Sequence, residues 1–366
     1  MSVSENRTVT PNETRSRLLR AFKAKRPVFL WGPPGIGKSQ IIADLTEELG
    51  GLCIDLRLGQ MEPTDLRGIP FYNKDLGKMD WAEPIDLPTQ EQADKYPIIT
   101  LFLDEMNQAA PAVQGSAFQL VLDRKLGKYK LPDNVVIVAA GNRESDKGVS
   151  FRMPTPLANR FVHLEVRADY ESWNEWAVNH RVHKDVVGYI GFAKQSLMDF
   201  NPRSSSRAFA TPRSWSFVSE FLYDTDATDA ELSDLIAGTI GDGLAVAFMA
   251  HRKVAGQMPN PTDILTGKVK ELKIKEVSAM YSLTVSMCYE LQDAYVKLGK
   301  TKIEDWHEMT DYFFRFMMDN FTTELVVMGA RVALTTYNLP LIPGKLKNFD
   351  EFHKRYGKYI IAANGK

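Results

Sequence analysis

The chain has 366 residues, 44% apolar and 25% charged, with a formal net charge of −1. That length suits two or three domains, and the balance is that of an ordinary globular protein, which excludes extensive disorder. A charge near zero excludes a global field that would recruit nucleic acid or an anionic membrane. At the N-terminus the first seven residues (MSVSENR) lack an apolar core, so a secretory signal is not expected. Five short apolar, β-branched runs follow at 27–31 (PVFLW), 52–56 (LCIDL), 98–103 (IITLFL), 135–140 (VVIVAA) and 161–166 (FVHLEV). Most are continuous rather than alternating, as in central strands covered on both faces. Helical patterns at 40–49 and 113–122 lie between them. Strand–helix alternation predicts an α/β three-layer sandwich on a mainly parallel five-stranded sheet.

Between the first strand and the first of these helices, Gly32-Pro33-Pro34-Gly35-Ile36-Gly37-Lys38-Ser39 fits G-x-x-x-x-G-K-[ST] at every fixed position. The glycines let backbone N–H groups face phosphates, and the helix start at Gln40 adds positive potential. Lys38 is expected on the β/γ-phosphates and the Ser39 hydroxyl on Mg²⁺. The third strand ends in Asp104-Glu105. Asp104 is the second expected Mg²⁺ ligand, and Glu105 is placed to polarise an attacking water. A nucleotide kinase would not need that glutamate, so the pair points to hydrolysis. The fourth strand ends Gly141-Asn142-Arg143-Glu144 rather than in a guanine reader, which favours ATP.

After residue 166 the chain reads helical, punctuated by Pro202, Pro212, Pro259, Pro261, Pro340 and Pro343. The expected domains are a nucleotide-binding core at 1–168, a helical lid at 169–258 and a helical C-terminal extension at 259–366. Lys268, Lys270, Lys273 and Lys275 suggest a solvated helix face. The most apolar stretch, 312–334, is broken by Arg315, Asp319, Asn320, Glu324 and Arg331, and reads as buried helix rather than a membrane span. Cys53 and Cys288 have no metal-ligand spacing and read as reduced thiols of a cytoplasmic protein.

These motifs, in this order, resemble the MoxR-like branch of the AAA+ ATPases. Asp104-Glu105-Met106-Asn107-Gln108-Ala109, Gln114 and residues 120–125 resemble its D-E-x-N-x-A…Q…L…R arrangement, and Asp65-Leu66-Arg67-Gly68 resembles its D-[ILV]-x-G element. Asn142 is similar to sensor 1, which orients the lytic water. Arg160 resembles the arginine finger that reaches a neighbouring subunit's γ-phosphate, although Asn159 stands where the family often has Asp. Arg213 resembles the lid's sensor 2. The long connection at 58–97 contains Phe71, Tyr72 and Trp81 around a Gly-containing turn. It reads as a hairpin similar to this branch's insert, with aromatics that contact a partner or pack onto their own domain. The resemblance spans about residues 20–220. It implies a ring homo-oligomer, a hexamer, hydrolysing ATP with Mg²⁺ in chaperone-like remodelling of a protein client, with a von Willebrand A-domain protein as the partner class. Two alternatives stay open: a nucleic-acid-acting motor or loader, and an ATP-switched scaffold with little turnover.

Overall fold

The structure is a computed structural model that describes residues 7–146, 151–298 and 302–363. The first six residues, on which most of the signal-peptide expectation falls, lie outside them. The chain forms two compact units, Met1–Asp169 with Phe200–Ser204, and Tyr170–Asp199 with Ser205–Lys366.

The first unit begins with β1 (Thr8–Val9), α1 (Pro11–Lys23), β2 (Val28–Trp31), α2 (Lys38–Glu48), β3 (Leu52–Arg57) and α3 (Pro63–Arg67). Next come β4 (Ile69–Asn73), β5 (Lys78–Ala82), α4 (Gln90–Lys95), β6 (Ile99–Asp104) and α5 (Pro111–Asp123). It ends with β7 (Lys125–Leu126), β8 (Tyr129–Lys130), β9 (Val135–Gly141), α6 (Thr155–Ala158) and β10 (Val162–Val166). Among the described residues the main sheet has six strands in the order β1-β10-β2-β9-β6-β3, all parallel. The expectation of five is corrected by β1, whose two residues are too short to show a hydrophobic pattern.

Alternation along each strand divides the sheet's two faces. Phe29, Leu101, Leu103 and Ile137 pack with Val113, Ala117 and Leu120 of α5. On the opposite face, Val28, Leu30, Phe102 and Val138 pack with Leu18 and Phe22 of α1 and Ile41, Ile42 and Leu45 of α2. Each such buried side chain contributes roughly 1.5–3 kcal/mol; Phe102→Ala would cost about 3–5 kcal/mol through loss of burial and an unfilled cavity. Helix α1 is set by a capping box, with Thr10 Oγ1 accepting from Glu13 N and Glu13 Oε2 from Thr10 N, and by Pro11 in its first turn. A buried hydroxyl pair, Thr46 Oγ1 to Thr100 Oγ1 at 2.8 Å, ties α2 to β6 and so fixes the two elements that carry the phosphate loop and the acidic pair.

Strands β4 and β5 form the expected antiparallel hairpin. Its turn is held by Asn73 Oδ1, which accepts from the backbone N–H groups of Asp75 and Leu76. Phe71, Tyr72 and Trp81 are 43%, 61% and 38% exposed, so they are not packed into their own domain's core.

The second unit is helical among the described residues: α7 (Tyr170–Asn179), α8 (Lys184–Phe192), α9 (Pro212–Leu222), α10 (Asp229–Ile240) and α11 (Asp242–Ala255). It continues with α12 (Pro261–Leu265), α13 (Val277–Leu298), α14 (Ile303–Asn320), α15 (Thr323–Arg331) and α16 (Lys347–Ala363). One apolar cluster, with Trp215, Phe248, Trp306, Phe313 and Phe314 fully buried, runs from Trp173 to Phe352.

Two sequence readings are corrected in this unit. The lysine-rich stretch 268–276 is not a helix. Asn320 captures its backbone instead, Oδ1 accepting from Leu272 N at 2.7 Å and Nδ2 donating to Lys270 O at 2.9 Å, while Leu272 is buried. The apolar stretch 312–334 is not one helix. Helix α14 stops at Asn320, α15 restarts at Thr323, and Val332–Thr336 winds as a π-helix. Among the described residues no helix is long and apolar enough to cross a membrane.

Candidate active site

The loop between β2 and α2 carries Gly32, Pro33, Pro34, Gly35, Ile36 and Gly37. Ile36 is buried with Ile41 and Val166, which anchors the loop to the core. Gly37 sits at the helix start with φ +94° and no side-chain cap. That backbone conformation disfavours any residue with a Cβ, and the uncapped helix start leaves first-turn N–H groups open to an anion. Lys38 folds back along the loop, its Nζ donating to Gly32 O at 2.7 Å, Pro33 O at 3.1 Å and Asn142 Oδ1 at 3.2 Å. The Lys38–Asn142 bond bridges the loop and the tip of β9. Gln40, exposed on α2, donates to Asp44 Oδ1.

Ser39 Oγ donates to Asp104 Oδ2 at 3.1 Å, so the two expected Mg²⁺ ligands converge from α2 and β6. Two hard oxygen donors placed this way fit a Mg²⁺ ion that keeps most of its water. Asp104 Oδ1 accepts the backbone N–H of Glu105 at 2.8 Å. Glu105 itself has φ +54°, an uncommon conformation for a residue with a side chain and one that recurs at functional sites. Its carboxylate lies over Gly59, where a Cβ would come 2.9 Å from Oε2.

Two residues whose roles the sequence reading left unassigned join this cluster. Asn107 is 2% exposed, and its Nδ2 donates to Asn142 O at 2.8 Å, tying the turn after β6 to the tip of β9. It was visible in sequence only as one letter of the acidic motif. Asp55 of β3 lies two residues before Arg57, which pairs with Asp104 in the sheet register. Burial, and then the charge of Asp104, push the Asp55 carboxyl above its usual range, with Glu105 adding to this. Only the strand register brings this third carboxylate to the site.

The arginines divide by engagement. Arg143 is committed within the unit, to Asp146 at 2.8 Å and Glu165 at 3.1 Å, and its hydrogen bonds to Asp146 raise its pKa. Arg160 lies exposed in the turn between α6 and β10, and its guanidinium has no hydrogen bond or ion pair among the described residues. Arg213 is an exposed first-turn residue of α9, in the second unit. Lys38, Ser39, Asp104, Glu105, Asn107 and Asn142 therefore meet at one end of the sheet, while Arg160 stands on a separate turn of the same unit.

Residues 28–166 match the model of the AAA family, the ATPase family associated with various cellular activities. Midasin of Giardia intestinalis is 24% identical over 184 residues, 48% of this chain. The chain spans only 4% of that protein's length. Among solved structures, the Thermotoga maritima RuvB Holliday junction branch migration motor is 17% identical, over 70% of this chain and 76% of that one, with a TM-score of 0.38. NtrX of Brucella abortus in complex with ADP is 14% identical, over 94% of this chain and 68% of that one, with a TM-score of 0.39. The family match covers the parallel sheet from β2 to β10, the phosphate loop and the acidic pair, and the segment from Val28 to Val166 is an AAA ATPase domain.

Proposed function

We propose that this chain works as a ring of identical subunits, a hexamer, in which Mg²⁺-dependent ATP hydrolysis drives the remodelling of a protein client. The observation that carries the reading is the convergence of Ser39 on Asp104 and of Lys38 on Asn142 at the ends of adjacent strands. Lys38 and the loop amides would hold the β- and γ-phosphates, while Ser39 and Asp104 would hold Mg²⁺. When bound, that ion neutralises phosphate charge. Glu105 takes up a proton from the attacking water, and Asn142 orients that water.

Arg160 is assigned to the neighbouring subunit's γ-phosphate. It is exposed and its guanidinium has no partner among the described residues, as a group reserved for another subunit requires. Arg213 is assigned to nucleotide sensing from the lid at 169–258, and 259–366 extends that lid. The exposed Ile69, Tyr72 and Met79 of the β4–β5 hairpin, each more than 60% accessible, support client contact there. A von Willebrand A-domain protein is the client class proposed.

The test is ATPase rate per subunit against protein concentration. The ring reading expects specific activity to rise as oligomers form; constant specific activity in a verified monomer overturns it.

A further inference from the structure

The turn that carries Arg160 runs directly into β10, whose first residue donates through Val162 N to Pro27 O at 2.9 Å, and a side chain of β10 reaches back from the sheet to the turn itself. His163 of β10 pairs with Phe29 of β2 in the sheet register. Its ring lies in an aromatic group in which Trp31 stacks on Phe29 at 4.2 Å, and Phe161 meets Phe29 edge-on at 5.5 Å. Trp31 Nε1–H can only donate, and it points at His163 Nδ1, 2.9 Å away. Nδ1 must therefore be the acceptor, so the neutral ring carries its proton on Nε2. That nitrogen lies 2.8 Å from Ala158 O and donates to it.

Both ends of this bridge are next to functional groups. Trp31 immediately precedes Gly32, whose carbonyl accepts from Lys38 Nζ. Ala158 is the last residue of α6, two before Arg160. Its carbonyl also accepts from Phe161 N at 3.2 Å, and Arg160 N donates to Leu157 O at 3.0 Å. The guanidinium has no partner of its own among the described residues, so the backbone of this turn alone sets its origin. Backbone bonds close the turn on itself and join its exit to Pro27, Phe161 packs on Phe29, and the His163 side chain adds a hydrogen-bonded link from Ala158, two residues before Arg160, to Trp31 of β2.

We propose that His163 is a positioning residue for the arginine finger, holding the Arg160 turn in register with the strand that leads into the phosphate loop. The inference rests on the reading of Arg160 as a finger acting on the neighbouring subunit. Its consequence is specific: loss of the bridge should damage the neighbour's site and spare the nucleotide site of the same chain. Misplacing a catalytic group by about 1 Å can cost on the order of a hundredfold in rate. Losing one positioning bond while the ring stays packed should cost about tenfold.

Four full-length variants test this. His163→Phe keeps the ring and removes both hydrogen bonds, while His163→Gln places an amide N–H where Nε2 lies and retains the bond to Ala158. Arg160→Ala removes the finger, and Glu105→Gln has an intact finger but an inactive site. The expected result is kcat about tenfold lower in His163→Phe with ATP Kd within twofold of wild type, and most of the loss recovered in His163→Gln. Adding Glu105→Gln subunits should raise turnover per His163→Phe subunit, because their intact fingers complete its sites. The proposal is overturned if His163→Phe matches wild type while Arg160→Ala is inactive, if the loss appears in Kd, or if mixing restores nothing. It is also overturned if His163→Gln, folded as shown by its thermal transition, is as slow as His163→Phe. Wild-type turnover by Arg160→Ala overturns the finger reading itself, and the inference with it.

Discussion

Replacing Asn107 with leucine separates stability from catalysis in a way the structure allows to be worked through. The amide is 2% exposed and makes one side-chain bond, Nδ2 to Asn142 O at 2.8 Å, while its Oδ1 is buried with no partner among the described residues. Leucine leaves the Asn142 carbonyl unsatisfied, at a cost of about 1–3 kcal/mol. It also removes a buried acceptor that has no partner, which relieves a penalty of similar size, roughly 1–3 kcal/mol. The two nearly cancel, so net stability should change by no more than about 1 kcal/mol, or roughly 2–4 °C in Tm for a unit of this size. Catalysis has no such compensation. Asn142 loses its tether at the backbone, and its Oδ1, 3.2 Å from Lys38 Nζ, moves with it. A loss of 1.4–2.8 kcal/mol in transition-state stabilisation is about ten- to a hundredfold in kcat. Calorimetric Tm and steady-state phosphate release on the same preparation provide both numbers. A kcat within twofold of wild type, or a Tm drop above about 8 °C, would refute the reasoning.

Further outcomes follow from the same geometry. Gly59→Ala places a Cβ 2.9 Å from Glu105 Oε2 and should slow turnover while leaving MgATP affinity unchanged; equal loss in both would show that Glu105 is not the group disturbed. Asp55 has its pKa raised by burial and by Asp104, so its ionised form is penalised at neutral pH and the penalty disappears as pH falls through the carboxylate range. Asp55→Asn should therefore raise the Tm of the nucleotide-free protein at pH 7 by about 1 °C, since the site is partly exposed, and by less at pH 4. A lower Tm at pH 7 would contradict this. Burial pushes His183 and His251 below the ordinary histidine value, and His251 Nδ1 is buried with no partner among the described residues. The unfolded chain then binds protons below about pH 6.5 that the folded helical unit refuses. Stability should be level above pH 7 and fall below 6.5 by up to about 1.4 kcal/mol per pH unit for each histidine. Denaturant midpoints measured from pH 7.5 to 5 check the slope, which His251→Gln should reduce; a flat profile would exclude it.

The parts of the fold that were legible in the sequence are those written in consecutive residues. The phosphate loop, the acidic pair at the end of β6 and the five longer strands need only a local pattern and a context of strand before helix. Helix α1 went unread because its apolar residues Leu18, Leu19 and Phe22 are few among arginines, although Thr10-Pro11-Asn12-Glu13 spells its capping box. The lysine-rich stretch misled because its apolar spacing is helical while its backbone partners come from Asn320, about fifty residues on. Asn107, Asp55 and the Trp31–His163 pair acquire their significance only from the register of parallel strands, which places residues 132 positions apart in contact. Arg160 and Arg213 were located by resemblance, since an exposed arginine carries no local mark of its role.

The most direct measurement of the central claim is made on Glu105→Gln beside wild type, with MgATP binding by titration calorimetry and phosphate release in parallel. The account predicts comparable Kd for both proteins, steady phosphate release by the wild type, and release at least a hundredfold slower by the variant. No binding heat from folded wild-type protein, or undiminished turnover by Glu105→Gln, would contradict it.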